Sequence, residues 1–374
     1  MITLKEMKTK KELKKFITFP FGLYKNEPNW VPPIIQDELD SMDSSKNPVF
    51  KNATAQFFLA YKNNKEVGRI CAIINDIEVN QQGKPKMRFG WFDTIDDIEV
   101  TKALLSKVSE IGKAHQLEYM EGPVGFSNME KAGILIKGFE HLNTMITWYN
   151  FPYYKEHFEA LGFEKASEWV EYHIKVDDAE NQNAKVQKFA DIVAQRYQLT
   201  PIEFKNANDI RPYVDDMFGL LNKTYDQLET FVPIQQYQID HYKEAYLKFI
   251  NPDFIKCIKN EKGDLVAFSI TMPSFSKALK KANGKLFPLG FQYLLRAKRK
   301  NNKASFYLIG IDPEYQNKGV TAIIFQMMQE LFNNKGITEV ETNPELEDNK
   351  AIQQLWKNYE HTLHKRRRTY RKTL

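Results

Sequence analysis

The stretch "IGIDPEYQNKGVTA", residues 309–322, decides how the rest of the chain is read. An apolar run stops at Pro313, which has no N–H to give to a strand ladder. A polar turn with one glycine, Gly319, follows, and a helix-compatible run begins at Val320. The first turn of a helix leaves backbone N–H groups without internal partners and presents the positive end of the dipole, which favours anions. Gly319 permits close backbone approach to a ligand. Lys318 adds a cation, and Gln316 and Thr321 add neutral polar groups. The turn has the parts to cradle a pyrophosphate, but an ordinary strand-to-helix turn has the same spacing, and the residues alone leave both open.

Working outward, the same pattern occurs earlier in the chain. "VTKALLSKVSEIGKAHQLEYMEGP" from Val100 and "VTAIIFQMMQELFNNKGITEVETNP" from Val320 both open with Val-Thr. Each runs as a helix of about four turns, breaks, and ends in a strand stopped by proline. Before them lie the apolar segments "KMRFGWFDTI" and "ASFYLIGI", and further upstream the strand candidates "VGRICAII" and "DLVAFSIT". Helices follow from Asn150 and Asn349. Strands interleaved with helices predict an α/β layer structure, here two related halves, 1–178 and 179–374, joined by the polar linker 176–185. Aligning the repeats places Asp96, Asp97, Ile98 and Glu99 opposite Gln316, Asn317, Lys318 and Gly319. Three acids suit a helix N-terminus as internal counter-charges and would repel a pyrophosphate. A cofactor site is therefore expected only in the second half.

The segment "IGIDPEYQNKGVTAIIFQMM" resembles the cofactor motif of the GNAT acyltransferases, a strand and Val-x-Pro followed by Gln/Arg-x-x-Gly-x-Gly/Ala at a helix start. Ile311-Asp312-Pro313, Gln316 and Gly319 match, and Thr321 stands where Gly or Ala is usual. Asn349, in "EDNKAIQQLW", is similar to the family's Asn-x-x-Ala helix. The whole chain resembles bacterial proteins with two tandem GNAT-like halves, each a mixed central sheet flanked by helices. The resemblance implies transfer of an acyl group, acetyl being usual, from acetyl-CoA or another acyl-CoA to a small-molecule or peptide amine. It places the cofactor on the backbone of Ile309, Gly310 and Ile311 and on Gln316, Asn317, Lys318, Gly319, Val320, Thr321 and Asn349. Chemistry needs a base for the ammonium; Glu341, on the next strand, and Tyr307 are the candidates. Where the family carries a tyrosine acid, this sequence has Trp356, whose indole cannot replace it. Tyr359, three residues on, is the substitute.

Charge and composition frame the alternatives. Residues 275–303 hold nine Lys or Arg and no acid, and residues 351–374 hold seven and one. Such runs form a solvated face or attract an anion: a cofactor phosphate, an acidic substrate or nucleic acid. The tail "LHKRRRTYRK" reads as a last strand with a charged outer face or as a basic arm. Trp356 keeps open a non-catalytic acyl-CoA-binding protein. The basic runs keep open a tRNA-dependent aminoacyl transferase, although they lack the interleaved aromatics of a recognised RNA-binding motif. Cys71 and Cys257 sit in apolar strand segments and read as core. No Cys/His/carboxylate spacing calls for a metal. No apolar run approaches the roughly 18 to 20 residues of a membrane span, nor is the start of signal-peptide type, and a cytoplasmic protein is expected. Oligomeric state is open.

Overall fold

The computed structural model describes residues 1–127, 129–177, 184–226, 228, 231–246, 250–349, 353 and 356–374. They form an α/β structure in two units. One comprises Met1–Val170, Phe275–Leu295 and His364–Leu374; the other comprises Glu171–Ser274 and Arg296–Leu363.

In the first unit the strands Ile2–Glu6, Ala53–Lys62, Lys65–Asn75 and Lys86–Thr94 pair antiparallel in sequence order. Lys86–Thr94 then pairs in parallel with Tyr119–Gly122. The crossover is the helix Ile98–Ala114, which buries Val100, Leu104, Leu105 and Val108 at helical spacing. These meet Phe58, Ile70, Phe89, Met120 and Phe158 in one apolar core. The second unit repeats the scheme. Ile255–Lys259, Leu265–Pro273 and Lys303–Ile311 pair antiparallel, and Lys303–Ile311 pairs in parallel with Glu339–Glu341 across the helix Val320–Lys335. That helix buries Val320, Ile323, Ile324, Met327, Met328 and Leu331 on one stripe. The strand–strand–helix–strand repeat expected from sequence is therefore present twice. Cys71 and Cys257 are fully buried in their strands.

The units do not follow a single cut near residue 178. Two segments late in the sequence belong to the first unit. The chain's last strand, His361–Thr373, pairs through Tyr370–Thr373 with Tyr119–Gly122 and through Arg366–Arg368 with Ile134–Lys137. Phe275–Leu295, inserted between two paired strands of the second unit, carries the helix Ser276–Ala282, and Ile35 N–H donates to Gly284 O at 3.0 Å. Most of the expected linker, 178–183, lies outside the described residues.

The tail is a strand and not a flexible arm, and its charges are not all outside. Lys365 and Arg367 are fully buried. Lys365 Nζ donates to Leu142 O at 3.0 Å, and Arg367 to Asn143 Oδ1 at 3.0 Å and to Trp148 O. On the other face Arg366 and Arg368 pair with Glu168, each at 2.8 Å. Arg368 also lies 3.5 Å from Glu159, and Arg371 pairs with Glu121 at 2.7 Å, so carboxylates and neutral oxygens together absorb most of what reads in sequence as a basic run.

Candidate active site in the second unit

The site is built on the strand Lys303–Ile311. Its parallel pairing with Glu339–Glu341 covers Lys303, Ala304 and Ser305 and goes no further. Among the described residues, that edge has no ladder partner beyond Ser305. On the opposite edge the register slips between Ile270↔Leu308 and Thr271↔Phe306, which makes Tyr307 a bulged residue. Bulges bend and twist a strand and recur next to active sites. Asp312 N–H donates to Val266 O at 2.8 Å on the paired side. By alternation, the N–H and C=O groups of Ile309 and Ile311 therefore point to the open side. Their carbonyls are met there by side chains. The Tyr225 hydroxyl donates to Ile309 O at 3.1 Å, and Thr224 and Gln316 donate to Ile311 O, each at 3.2 Å. Asn343 Nδ2 donates to Tyr307 O.

The loop after the strand is pinned at both ends. Asp312 accepts from Glu314 N–H at 2.9 Å and pairs with Lys223 at 2.8 Å. Asn317 and Gly319 both take positive φ, 59° and 83°. Gly319 is the N-cap of Val320–Lys335; no side chain caps the helix and no acid stands in its first turn. Lys318 is placed differently from the sequence expectation: its ammonium lies over the rings of Tyr197 and Tyr315, at 5.3 and 5.1 Å. Gln316 likewise serves the strand carbonyl.

The matching place in the first unit is closed by protein. Asp97 caps the helix Ile98–Ala114, accepting from Glu99 N–H at 3.1 Å, and pairs with Lys62 at 2.6 Å. Both contacts hold its carboxyl below the usual range. Asp96 lies 3.3 Å from His157. Past Arg88 the strand edge is occupied: Val124 N–H donates to Phe89 O at 2.8 Å and the Tyr153 hydroxyl to Thr94 O at 2.6 Å. Replacing Asp97 with alanine is expected to cost about 1 kcal/mol in urea denaturation through the lost cap, with acyl-CoA affinity unchanged by calorimetry. A parallel loss of affinity would contradict a structural role for Asp97.

Two residues that sequence reasoning missed complete the second unit's site. Glu345 is buried, at 8% exposure, and accepts Trp356 Nε1–H at 3.0 and 3.1 Å. Burial raises its pKa to about 8, against the opposing hydrogen bonds from Trp356 and Thr342. Tyr225, the last residue of the helix Val214–Tyr225, has its pKa raised to about 12, first by burial and then by the charge of Glu345. A carboxyl poised near neutrality therefore stands close to a phenol that touches the open strand. No motif marks either residue. The one available signal was the internal repeat, since Tyr24 stands just after the helix Lys10–Leu23 of the first unit and its hydroxyl reaches Asp93 at 2.7 Å.

The other expected residues divide. Glu341 ends its strand opposite Ser305, where the two strands part. Tyr307 is next to it: burial and the Glu341 charge raise the phenol's pKa. Tyr359 packs on Phe325 at 5.8 Å, and burial, then the Asp177 charge, raises its pKa to about 12. Trp356 is core, 5.6 Å from the Phe306 ring and 5.3 Å from Phe325. Asn349 is in a turn, its N–H donating to Leu346 O at 3.0 Å; Ala351 and Leu355 of the expected helix lie outside the described residues.

The fold is the GNAT fold in tandem. A tandem GNAT protein from the clavulanic acid biosynthesis pathway, solved without AcCoA, superposes with a TM-score of 0.54 at 10% identity, over 100% of this chain and 98% of that one. No protein-family model matches the chain. Among curated proteins, Protein YghO of Escherichia coli (strain K12) is 27% identical over 371 residues, 98% of this chain and 94% of the relative. The bacterial ceramide synthase of Caulobacter vibrioides is 26% identical over 378 residues, 98% and 96%.

Proposed function

We propose that the chain is an acyl-CoA-dependent N-acyltransferase with one working centre, in the second unit, and that its acceptor is a long-chain amine. The observation that carries the reading is the edge of Lys303–Ile311 beyond Ser305, which among the described residues has side chains on its carbonyls but no backbone ladder partner, and which runs into an uncapped helix N-terminus. The backbone of Ile309–Ile311 takes the pantetheine amides. The first-turn N–H groups of Val320–Lys335, with Gly319, take the pyrophosphate.

In the reaction the acceptor nitrogen attacks the thioester carbonyl carbon. A C–N bond forms, the C–S bond breaks, and the leaving thiolate takes up the second proton that nitrogen loses as the amide forms. The Glu345 carboxylate accepts the proton of the acceptor ammonium, a role its raised pKa suits. A strand N–H and the Tyr225 hydroxyl, its proton turned from Ile309 O to the substrate, stabilise the charge that develops on the thioester oxygen and sulfur. The base role thus passes from Glu341 to Glu345; Glu341 and Tyr307 line the mouth. Replacing Tyr225 with phenylalanine is expected to lower kcat at least about tenfold with little change in KM, because the hydroxyl acts in the transition state. A pure KM effect would argue against this role.

The acceptor class rests on the Caulobacter relative. A ceramide is a long-chain amino alcohol acylated on nitrogen, and the likeness to that protein runs through nearly the whole of both chains. The test is thiol release and product mass with acetyl-CoA and long-chain acyl-CoAs, each against a long-chain 2-amino-1,3-diol and short amines. Turnover with the long-chain amine supports the proposal. Tight acyl-CoA binding without thiol release from any pair would favour the second reading, a non-catalytic acyl-CoA binder, for which Trp356 speaks.

A further inference from the structure

Among the described residues eight large apolar side chains are exposed, and four of them, Phe287, Leu289, Phe291 and Leu295, lie within one short segment. Phe287 is 76% exposed and Leu289 54%. Clustered exposure of this kind marks an interaction surface. The segment is not a loose loop. The preceding helix Ser276–Ala282 buries Ala278, Leu279 and Ala282. Gly284, at φ 76°, lies so close to the Phe21 ring that an added Cβ would stand 2.6 Å from it. Phe291 N–H donates to Leu286 O at 2.7 Å, and the rings of Phe287 and Phe291 pack at 5.6 Å. The apolar residues are thus held in their exposed positions by an anchored backbone.

Their surroundings are basic. Lys277, Lys280, Lys281 and Lys285 are exposed in the same segment. The helix Gly290–Arg299 then places Phe291, Leu295 and Arg299 at four-residue spacing, with Gln292 and Arg296 beside them, all exposed. No Asp or Glu occurs from 275 to 303. Neither feature suffices alone. Aromatic and leucine side chains ringed by lysine and arginine match an interface that is apolar below and anionic above. At such an interface aromatic rings enter the acyl boundary while long cationic side chains reach the headgroups. A nucleic acid would satisfy the cations and leave Phe287 and Leu289 in water. A second copy of this chain would have to meet the same seven cations of 277–299 without an acid on the facing segment. No helix of the described residues is long and apolar enough to cross a membrane, so the contact is with a surface.

We infer that Lys277–Leu295 is a docking face for an anionic lipid bilayer, with Phe287, Leu289, Phe291 and Leu295 as the inserting residues. The face is independent of the acyl-transfer chemistry and is tested without acyl-CoA. The full chain is sedimented with vesicles of phosphatidylcholine alone, or mixed with about one-third phosphatidylglycerol. Binding is expected to the mixed vesicles only and to weaken as salt is raised. The double variant F287S/F291S and the triple variant K280E/K281E/K285E should each lose at least tenfold in vesicle affinity with unchanged thermal midpoints, since all five residues are exposed. Wild-type affinity in both variants overturns the proposal. So does tRNA binding that the triple variant abolishes in a chain that ignores vesicles, or a dimer that F287S/F291S abolishes without any vesicle binding.

Discussion

Replacing Glu345 with glutamine is expected to lower kcat by about 10²- to 10⁴-fold, the range of a lost general base, and to change two pH dependences in opposite senses. With its pKa at about 8, the carboxyl is mostly neutral at pH 7 and becomes the basic form as pH rises. Wild-type turnover should therefore climb through pH 8 and level above it. The acceptor amine has its own titration, but that is common to both proteins, so a limb near pH 8 that vanishes in the variant belongs to Glu345. Stability moves the other way. In the unfolded chain the carboxyl titrates near 4.5, and between that value and about 8 the folded state holds more protons. Stability accordingly falls as pH rises across this window. Glutamine can still accept from Trp356 but carries no charge to bury. E345Q should equal the wild type near pH 4 and exceed it at pH 9, by an amount on the order of 3 to 5 kcal/mol in denaturant titrations. A variant that keeps the wild-type rate and its pH 8 limb would remove Glu345 from the chemistry, whatever its stability.

The residues that could be read from sequence and those that could not differ in the range of the interactions that define them. Pro313, Gly319 and the 3–4 spacing from Val320 to Leu331 are local signals, and the strand end, the turn and the helix follow them. The two N-caps, Asp97 and Gly319, differ by two residues from the sequence alignment, which set Glu99 opposite Gly319, but the contrast between them is local too, because a cap is made within three residues. Glu345 and Tyr225 are not local in this sense. The Tyr225 hydroxyl meets a carbonyl 84 residues away, and the Glu345 carboxyl owes its raised pKa to burial, which outweighs the hydrogen bond from Trp356. In sequence Glu341 and Glu345 look alike; only the strand's end at Glu341 and the re-entry of Glu345–Leu346 separate them. The tail misleads for a related reason. Lys365 and Arg367 alternate with Arg366 and Arg368, so a period of two is present, but hydropathy cannot show that the inward pair is met by Leu142 O, Trp148 O and Asn143. Unit boundaries fail at the same point, since a cut placed by composition cannot follow a last strand that pairs with residues 119–122.

Gly319→Glu should abolish measurable acyl-CoA binding, a loss of at least about 10²-fold, with the first unit's fold intact. Three effects add in the same direction. A side chain at φ 83° is strained. Its Cβ would stand 2.8 Å from Phe189 Cζ and 3.0 Å from Val193 Cγ2, so the half-exposed Phe189 ring must turn aside. The carboxylate then caps the first turn of Val320–Lys335 from within, as Asp97 does in the first unit, and competes with a pyrophosphate for the same N–H groups while repelling it. Gly319→Ala separates these terms, because it keeps the strain and the steric conflict and adds no charge. If the loop binds phosphate, the alanine variant loses part of the affinity and the glutamate variant nearly all, and the gap between them narrows as salt screens the charge. Calorimetry with acetyl-CoA and a long-chain acyl-CoA, at low and high salt, reads both. Equal affinity in all three proteins would detach the loop from the cofactor. Equal losses in the two variants would mean that Gly319 matters for backbone geometry alone.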